Sequence, residues 1–312
     1  MLVVFLLGSA TVQAATPSVL QRPIDLDVAG GQLHGTLLLP RSNEPVPVVL
    51  MISGSGPTDR DGNNPEGGRN DSLKKLAVLL ARNHIASVRF DKRGVASGRP
   101  VTPDERDLSV EAYVADAVAW GRKLKADPRF GPLIILGHSE GALIASLAAQ
   151  PAGAAAVISL SGSGRPLADV LNEQIAERLP ADLQPRSRQI IERLSAGQRD
   201  EDVPAPLHVL FRPSVQPYLI SLLRQAPAAA FAKVQVPALI VQGRNDIQVN
   251  EADAQALKAA KPDAQLALID GMNHVLRIVA MDLKAQLASY KNPALPLSDE
   301  LGRVLVDFIH GL

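Results

Sequence analysis

The stretch Leu133–Ser146, LIILGHSEGALIAS, leaves the chain few ways to fold. Leu133 to Leu136 read as a short buried strand. Ala142 to Ala149, rich in Ala, Leu and Ile with no breaker, read as a helix. Only Gly137-His138-Ser139-Glu140-Gly141 lies between them. So tight a strand-to-helix turn forces its central residue, Ser139, into a strained backbone, and the glycines two positions away on either side remove side chains that would collide with it. The expected result is a hydroxyl held at the C-terminal edge of a sheet, with a helix N-terminus pointing at it.

The rest of the chain supplies that sheet. Ile24 to Val28 and Leu33 to Leu39 read as a hairpin around Gly30-Gly31. Val46 to Ile52 is a continuous apolar strand, followed by the long loop SGSGPTDRDGNNPEGG. Ser72 to Asn83 has helical spacing, Ile85 to Phe90 is a strand, Val110 to Lys125 a helix and Val157 to Leu160 a strand. Strand and helix then alternate again: Ala238 to Gln242, Glu251 to Ala260, Gln265 to Ile269 and Ser298 to Ile309. This alternation predicts an α/β fold with a mostly parallel central sheet flanked by helices. From Arg165 to Lys233 the pattern is broken by charged, proline-punctuated helical pieces, which predict a helical cap inserted over the sheet.

Composition narrows the partners. Lys plus Arg and Asp plus Glu both number 32, so neither nucleic acid nor an anionic surface is favoured. The chain has no cysteine, which excludes a thiolate nucleophile, a cysteine zinc site and disulfides. Leu2 to Leu7 form an apolar run too short to span a membrane, and Ala14 and Ala15, with Val12 ahead of them, fit a signal-peptidase site. The expectation is an exported protein, periplasmic or secreted, with residues 1–15 a signal peptide cleaved after Ala14 or Ala15 and residues 16–312 the mature domain.

A serine hydroxyl becomes a useful nucleophile when a base takes its proton and donors receive the charge on the attacked oxygen. The N–H of Glu140, at the start of the helix, is one such donor. ALIVQGRNDIQV places Asp246 in the loop beyond one strand, and ALIDGMNHVL places His274 beyond the next. Both loops fall at the C-terminal edge of the sheet, where ligands bind in open α/β folds. The order Ser, Asp, His gives a nucleophile in Ser139, a base in His274 and an orienting carboxylate in Asp246.

GHSEG at Gly137–Gly141, GRND at Gly243–Asp246 and GMNH at Gly271–His274 resemble the α/β-hydrolase superfamily across nearly the whole mature chain. The resemblance is closest to its serine-aminopeptidase-like and dienelactone-hydrolase-like esterases. It implies an α/β-hydrolase fold and a second oxyanion donor, the N–H of Ser55, from SGSGPTDRDG. In that group this loop begins with histidine; here the position holds Ser53, so the loop's support must differ. Dienelactone hydrolases proper use a cysteine nucleophile, which this chain lacks, so that activity is not carried over. FDKRGVASG resembles the Asp-x-Arg-Gly turn of the group, with Asp91 and Arg93 read as a pair bracing the loop.

Other motifs carry less. DRDGN at Asp59–Asn63 starts like a calcium loop, but Asn64 and Asn70 stand where glycine and glutamate are required. His34, His84, His138, His208 and His310 do not follow the last strand as His274 does. The chain is therefore expected to be an exported serine hydrolase that cleaves a small carboxylic ester through an acyl-enzyme, with no cofactor and no metal. A peptidase or amidase with the same triad is the alternative, and a non-catalytic binding protein on the same fold is a second. The expected partner is a small ester, or a short peptide or amide; no nucleic acid and no membrane span is expected.

Overall fold

The computed structural model describes residues 19–312; the segment read as a signal peptide lies outside the described residues. Eight strands form one sheet: β1 (Val19–Val28), β2 (Gly31–Pro40), β3 (Val46–Ile52), β4 (Ala86–Phe90), β5 (Phe130–His138), β6 (Ala156–Leu160), β7 (Ala238–Gly243) and β8 (Gln265–Ile269). Their spatial order is β1-β2-β4-β3-β5-β6-β7-β8. The hairpin β1–β2 and the β2–β4 pair are antiparallel, and every pairing from β4 to β8 is parallel. Gly30 and Gly31 turn the hairpin with φ of 95° and 144°, values an L side chain resists.

Helices α1 (Ser72–Arg82), α2 (Val110–Lys125), α3 (Glu140–Ala152), α9 (Glu251–Ala260) and α11 (Asp299–His310) alternate with the strands, as the sequence predicts. Between β6 and β7 come α4 (Leu167–Arg178), α5 (Gln184–Ser195), α6 (His208–Phe211), α7 (Gln216–Leu223) and α8 (Pro227–Ala232). A further helix, α10 (Leu283–Ser289), falls in a stretch without helical patterning.

The pleat of β3 explains the layers. Val48, Leu50 and Ile52 join one core with Ala117 and Trp120 of α2 and Ile144 of α3. Val49 and Met51 join the opposite core with Leu76 and Leu80 of α1 and Leu301 and Leu305 of α11. A strand buried on both faces must be apolar throughout, which is why β3 reads as an unbroken apolar run.

The helices between β6 and β7 are not all alike. Ile175, Ile190, Ile191, Leu194, Leu207, Phe211 and Ile220 make a small apolar cluster of their own. Phe231 of α8 belongs instead to the main core, and α8 packs on α3 and α9. Polar contacts tie the group down: Arg165 pairs with the fully buried Asp253 at 3.0 Å, and Arg212 bonds Glu105 of the loop before α2.

The chain leaves β3 toward β4 on one side and later enters β5 on the other. Strand order thus reverses between β3 and β5. A crevice forms at such a switch point, outside the carboxyl ends of the strands. The loop after β3 and the turn after β5 meet there.

Candidate active site

Ser139 sits at the switch point with φ 56° and ψ −123°, an unusual backbone for a non-glycine residue. Its N–H donates to the Leu160 carbonyl at 2.9 Å, which anchors the turn to β6. The glycine spacing now has a measured cause. A Cβ on Gly137 would fall 1.9 Å from the Gly141 carbonyl oxygen, and one on Gly141 would fall 2.4 Å from that of Ile52. Neither position admits a side chain while the turn keeps this shape.

Asp246 follows β7 and His274 follows β8, so both loops open at the edge that carries Ser139. His274 Nδ1 lies 2.7 Å from Asp246 Oδ2, with both side chains buried. The other oxygen, Oδ1, accepts from the N–H groups of Gln248 at 2.8 Å and Val249 at 3.0 Å. Burial by itself would raise the Asp246 pKa, but His274 and the two amides outweigh it and hold it below the ordinary carboxylate value. An ionised carboxylate only accepts. The neutral imidazole therefore carries its hydrogen on Nδ1 and its lone pair on Nε2, the tautomer a general base needs.

The His274 loop is held by residues that sequence reasoning missed. Asn273 exchanges backbone bonds with Arg277 and Leu276, and its side chain accepts from the Arg277 N–H at 3.0 Å. Asn273 Nδ2 reaches Gln286 Oε1 and Ser289 Oγ on α10. Buried Arg277 donates to the Asn70 carbonyl at 2.6 Å, fastening this loop to the one before α1. His138 adds a second tie. Its Nε2 lies 2.8 Å from the His274 carbonyl, and the two rings are 4.8 Å apart. A carbonyl cannot donate, so His138 Nε2 carries the hydrogen. Burial first, then the nearby His274, pushes the His138 pKa down to about 3, so this ring stays neutral and engaged.

Among the described residues the Ser139 hydroxyl makes no hydrogen bond. Catalytic hydrogen bonds often tighten only around substrate, so this loose serine is compatible with the chemistry expected of it.

The remaining predicted donors fall beside it. Glu140 opens α3, so its N–H is one of the unpaired donors of a helix N-terminus. Ser55 lies in the loop after β3, and that loop runs against the serine: a Cβ on Gly54 would come 3.2 Å from Ser139 Cβ. Ser53, at the position where histidine was expected, donates from Oγ to the Thr58 carbonyl at 3.0 Å, while Thr58 Oγ1 reaches back to the Ser55 carbonyl at 2.7 Å. The loop thus braces itself from within.

One expectation needs correction. Asp91 and Arg93 do not pair with each other. Asp91 binds Arg60 at 2.7 Å and Ser97 at 2.6 Å, whereas Arg93 Nε binds Asp116 at 2.7 Å. The two side chains, separated by Lys92, each fasten a different neighbour. The DRDGN segment is likewise a self-bonded loop: Asp59 caps the amides of Asp61 and Asn63, and Asp61 pairs with buried Arg89. Among the described residues no group of three or more His, Cys, Asp or Glu is placed to hold a metal ion. No described helix is long and apolar enough to cross a membrane.

Residues 49–283 match the model of the alpha/beta hydrolase family, and the chain belongs to that family. It is 28% identical over 254 residues to the esterase EstD of Thermotoga maritima, an alignment covering 80% of this chain and 59% of that protein. The chain thus spans less than two thirds of that relative's length. Two solved structures share the fold. Est1E from Butyrivibrio proteoclasticus, with ferulic acid bound, aligns with TM-score 0.61 and 18% identity over 92% of this chain and 99% of its own. The dienelactone hydrolase of Anabaena variabilis aligns with TM-score 0.54 and 14% identity over 94% and 98%.

Proposed function

We propose that the protein is a serine esterase that cleaves a small carboxylic ester through an acyl-enzyme. The observation that carries this reading is the buried His274–Asp246 hydrogen bond of 2.7 Å at the sheet edge where Ser139 is held at positive φ. Ser139 Oγ attacks the ester carbonyl carbon while His274 Nε2 takes its proton. The N–H groups of Ser55 and Glu140 receive the charge on the carbonyl oxygen. As the carbon–oxygen bond to the alcohol breaks, His274 returns the proton to the leaving group. Water then repeats the sequence and frees the acid. The likeness to an esterase over 80% of this chain supports the ester assignment.

A fluorophosphonate probe followed by a panel of p-nitrophenyl esters and aminoacyl p-nitroanilides tests it. Labelling with turnover of the esters and not the anilides is expected. Turnover of anilides at comparable kcat/KM would make the protein an amidase instead.

In this reading α4–α6 form a lid over the crevice. Two contacts support that placement: Gln174 of α4 donates to the Gln248 carbonyl beside Asp246, and Arg212 pairs with Glu105. Helices at this place exclude water and shape the acyl pocket. Replacing residues 167–211 with a short Gly-Ser linker leaves α8 in the main core. The expected outcome is an altered chain-length preference among p-nitrophenyl esters with phosphonate labelling retained. An unchanged profile in a folded variant would place the pocket elsewhere.

Export completes the proposal, on the apolar run and small residues before Thr16. N-terminal sequencing of protein from the exported fraction is expected to read from Ala15 or Thr16. An intact Met1 on cytoplasmic protein rejects it.

A further inference from the structure

Lys92 is a buried amine that the proposed chemistry leaves without a role. Only 2% of it is exposed, and its Nζ donates to the Gly54 carbonyl. Burying an ammonium is costly, and a purely structural position between β4 and α2 would be filled more stably by an apolar side chain. Its Nζ also lies 5.3 Å from the centroid of the Tyr113 ring.

The acceptor it has chosen is telling. The Gly54 carbonyl and the Ser55 N–H belong to one peptide group. That group is planar and trans, so its oxygen and hydrogen point in opposite directions. Whatever grips the oxygen aims the hydrogen. This is also the peptide that lies against the nucleophile, since a Cβ on Gly54 would sit 3.2 Å from Ser139 Cβ. Ser53 and Thr58 hold the loop only to itself. Lys92 fixes it from outside, across 38 positions of sequence.

Both carboxylate oxygens of Glu140, the second donor residue, are buried. Burial pushes the Lys92 pKa down, and Glu140 opposes that shift. The turn that presents Lys92 is itself fixed, because a Cβ on Gly98 would fall 2.3 Å from the Lys92 carbonyl oxygen.

We infer that Lys92 is a positioning residue of the oxyanion hole: its Nζ holds the Gly54–Ser55 peptide with the Ser55 hydrogen turned to the oxygen of the attacked carbonyl. The inference rests on the proposed roles of Ser139 and Ser55. A donor on the carbonyl also polarises the peptide and strengthens its N–H as a donor. Lys92 adds a support from outside the loop to the one that Ser53 and Thr58 give from within. It touches no substrate, and its effect is confined to the state in which the oxygen is charged.

Lys92→Met keeps the length of the stem and removes the donor. Loss of one oxyanion donor typically lowers kcat by about 10²–10³, and Lys92→Met is expected to lower kcat for p-nitrophenyl acetate by about 10²-fold with KM within a few-fold. Affinity for a trifluoromethyl ketone, whose adduct carries the oxyanion, falls by the same factor as kcat/KM. Lys92→Arg, which keeps charge and donors, restores part of both losses. Near-UV circular dichroism and the melting temperature report the fold. Should Lys92→Met not fold, Lys92→Gln, a polar side chain one atom too short to reach the Gly54 carbonyl, is measured in its place and the same losses are expected. A folded variant with kcat within threefold of wild type, or with kcat lowered but ketone affinity intact, overturns the inference while Ser139 labelling in the wild type keeps the esterase reading. A wild type that is neither labelled nor active overturns both.

Discussion

Ser139→Ala abolishes fluorophosphonate labelling and lowers ester turnover by several orders of magnitude. Triads stripped of one member retain only about 10³–10⁴-fold catalysis over water, supplied by the oxyanion donors and binding alone. The fold is expected to survive. The Ser139 hydroxyl makes no hydrogen bond among the described residues, while the backbone bond from its N–H to Leu160 at 2.9 Å does not depend on the side chain. Removing a half-buried, unbonded oxygen belongs with substitutions that move stability by about 0.5 kcal/mol or less. KM is expected to change little, since the hydroxyl contributes to the transition state and not to ground-state binding. The check is a pair of measurements: labelling by mass spectrometry and kcat on p-nitrophenyl acetate, both on protein whose melting temperature matches wild type. Full activity in the variant ends the serine mechanism. Residual labelling would place the nucleophile at another hydroxyl.

The strand-to-helix turn was legible because its signal is local. Gly137 and Gly141 are required by contacts within the turn and with the adjacent strand β3, and the apolar runs beside them have the period of the elements they form. The parallel sheet followed from strand–helix alternation, and Asp246 and His274 were found because each follows its own strand. What stayed hidden depends on distance or on inverted patterning. Helix α10 buries Gln286 and Ser289 and leaves Leu283 and Leu287 exposed, the reverse of the apolar stripe that announces a helix. Its polar face serves Asn273 and so fixes the His274 loop. Arg60, which binds Asp91, and Asp116, which binds Arg93, lie 31 and 23 positions away, on elements that local spacing cannot bring together. Lys92 gave one faint sign, a charge two positions after a strand buried throughout, in the turn at the sheet edge.

Asp246→Asn is expected to cost about 10⁴ in kcat while leaving the chain folded, and the hydrogen bonds around the carboxylate say why. Oδ1 accepts the amides of Gln248 and Val249, so an asparagine oxygen is pinned at that position. The amide NH₂ then occupies the place of Oδ2, 2.7 Å from His274 Nδ1. A donor there forces Nδ1 to accept and moves the ring hydrogen to Nε2, where no lone pair is left to take the serine proton. Rotating the asparagine to rescue the tautomer would set NH₂ against two backbone N–H groups and leave all of them unsatisfied in a buried site. Gln242, whose Nε2 now bonds Oδ2 at 3.3 Å, is held by the Gly243 and Val249 carbonyls and does not turn to help. Neither Asp116 nor Asp270 is placed to substitute. Asp116 is buried against Arg93, and Asp270 is 85% exposed and pairs with Arg244. The measurement is kcat/KM for p-nitrophenyl acetate beside the rate of phosphonate labelling, since both require the proton to leave Ser139. The two should fall together. A loss under tenfold in either would remove Asp246 from the triad and leave its hydrogen bond to His274 a purely structural one.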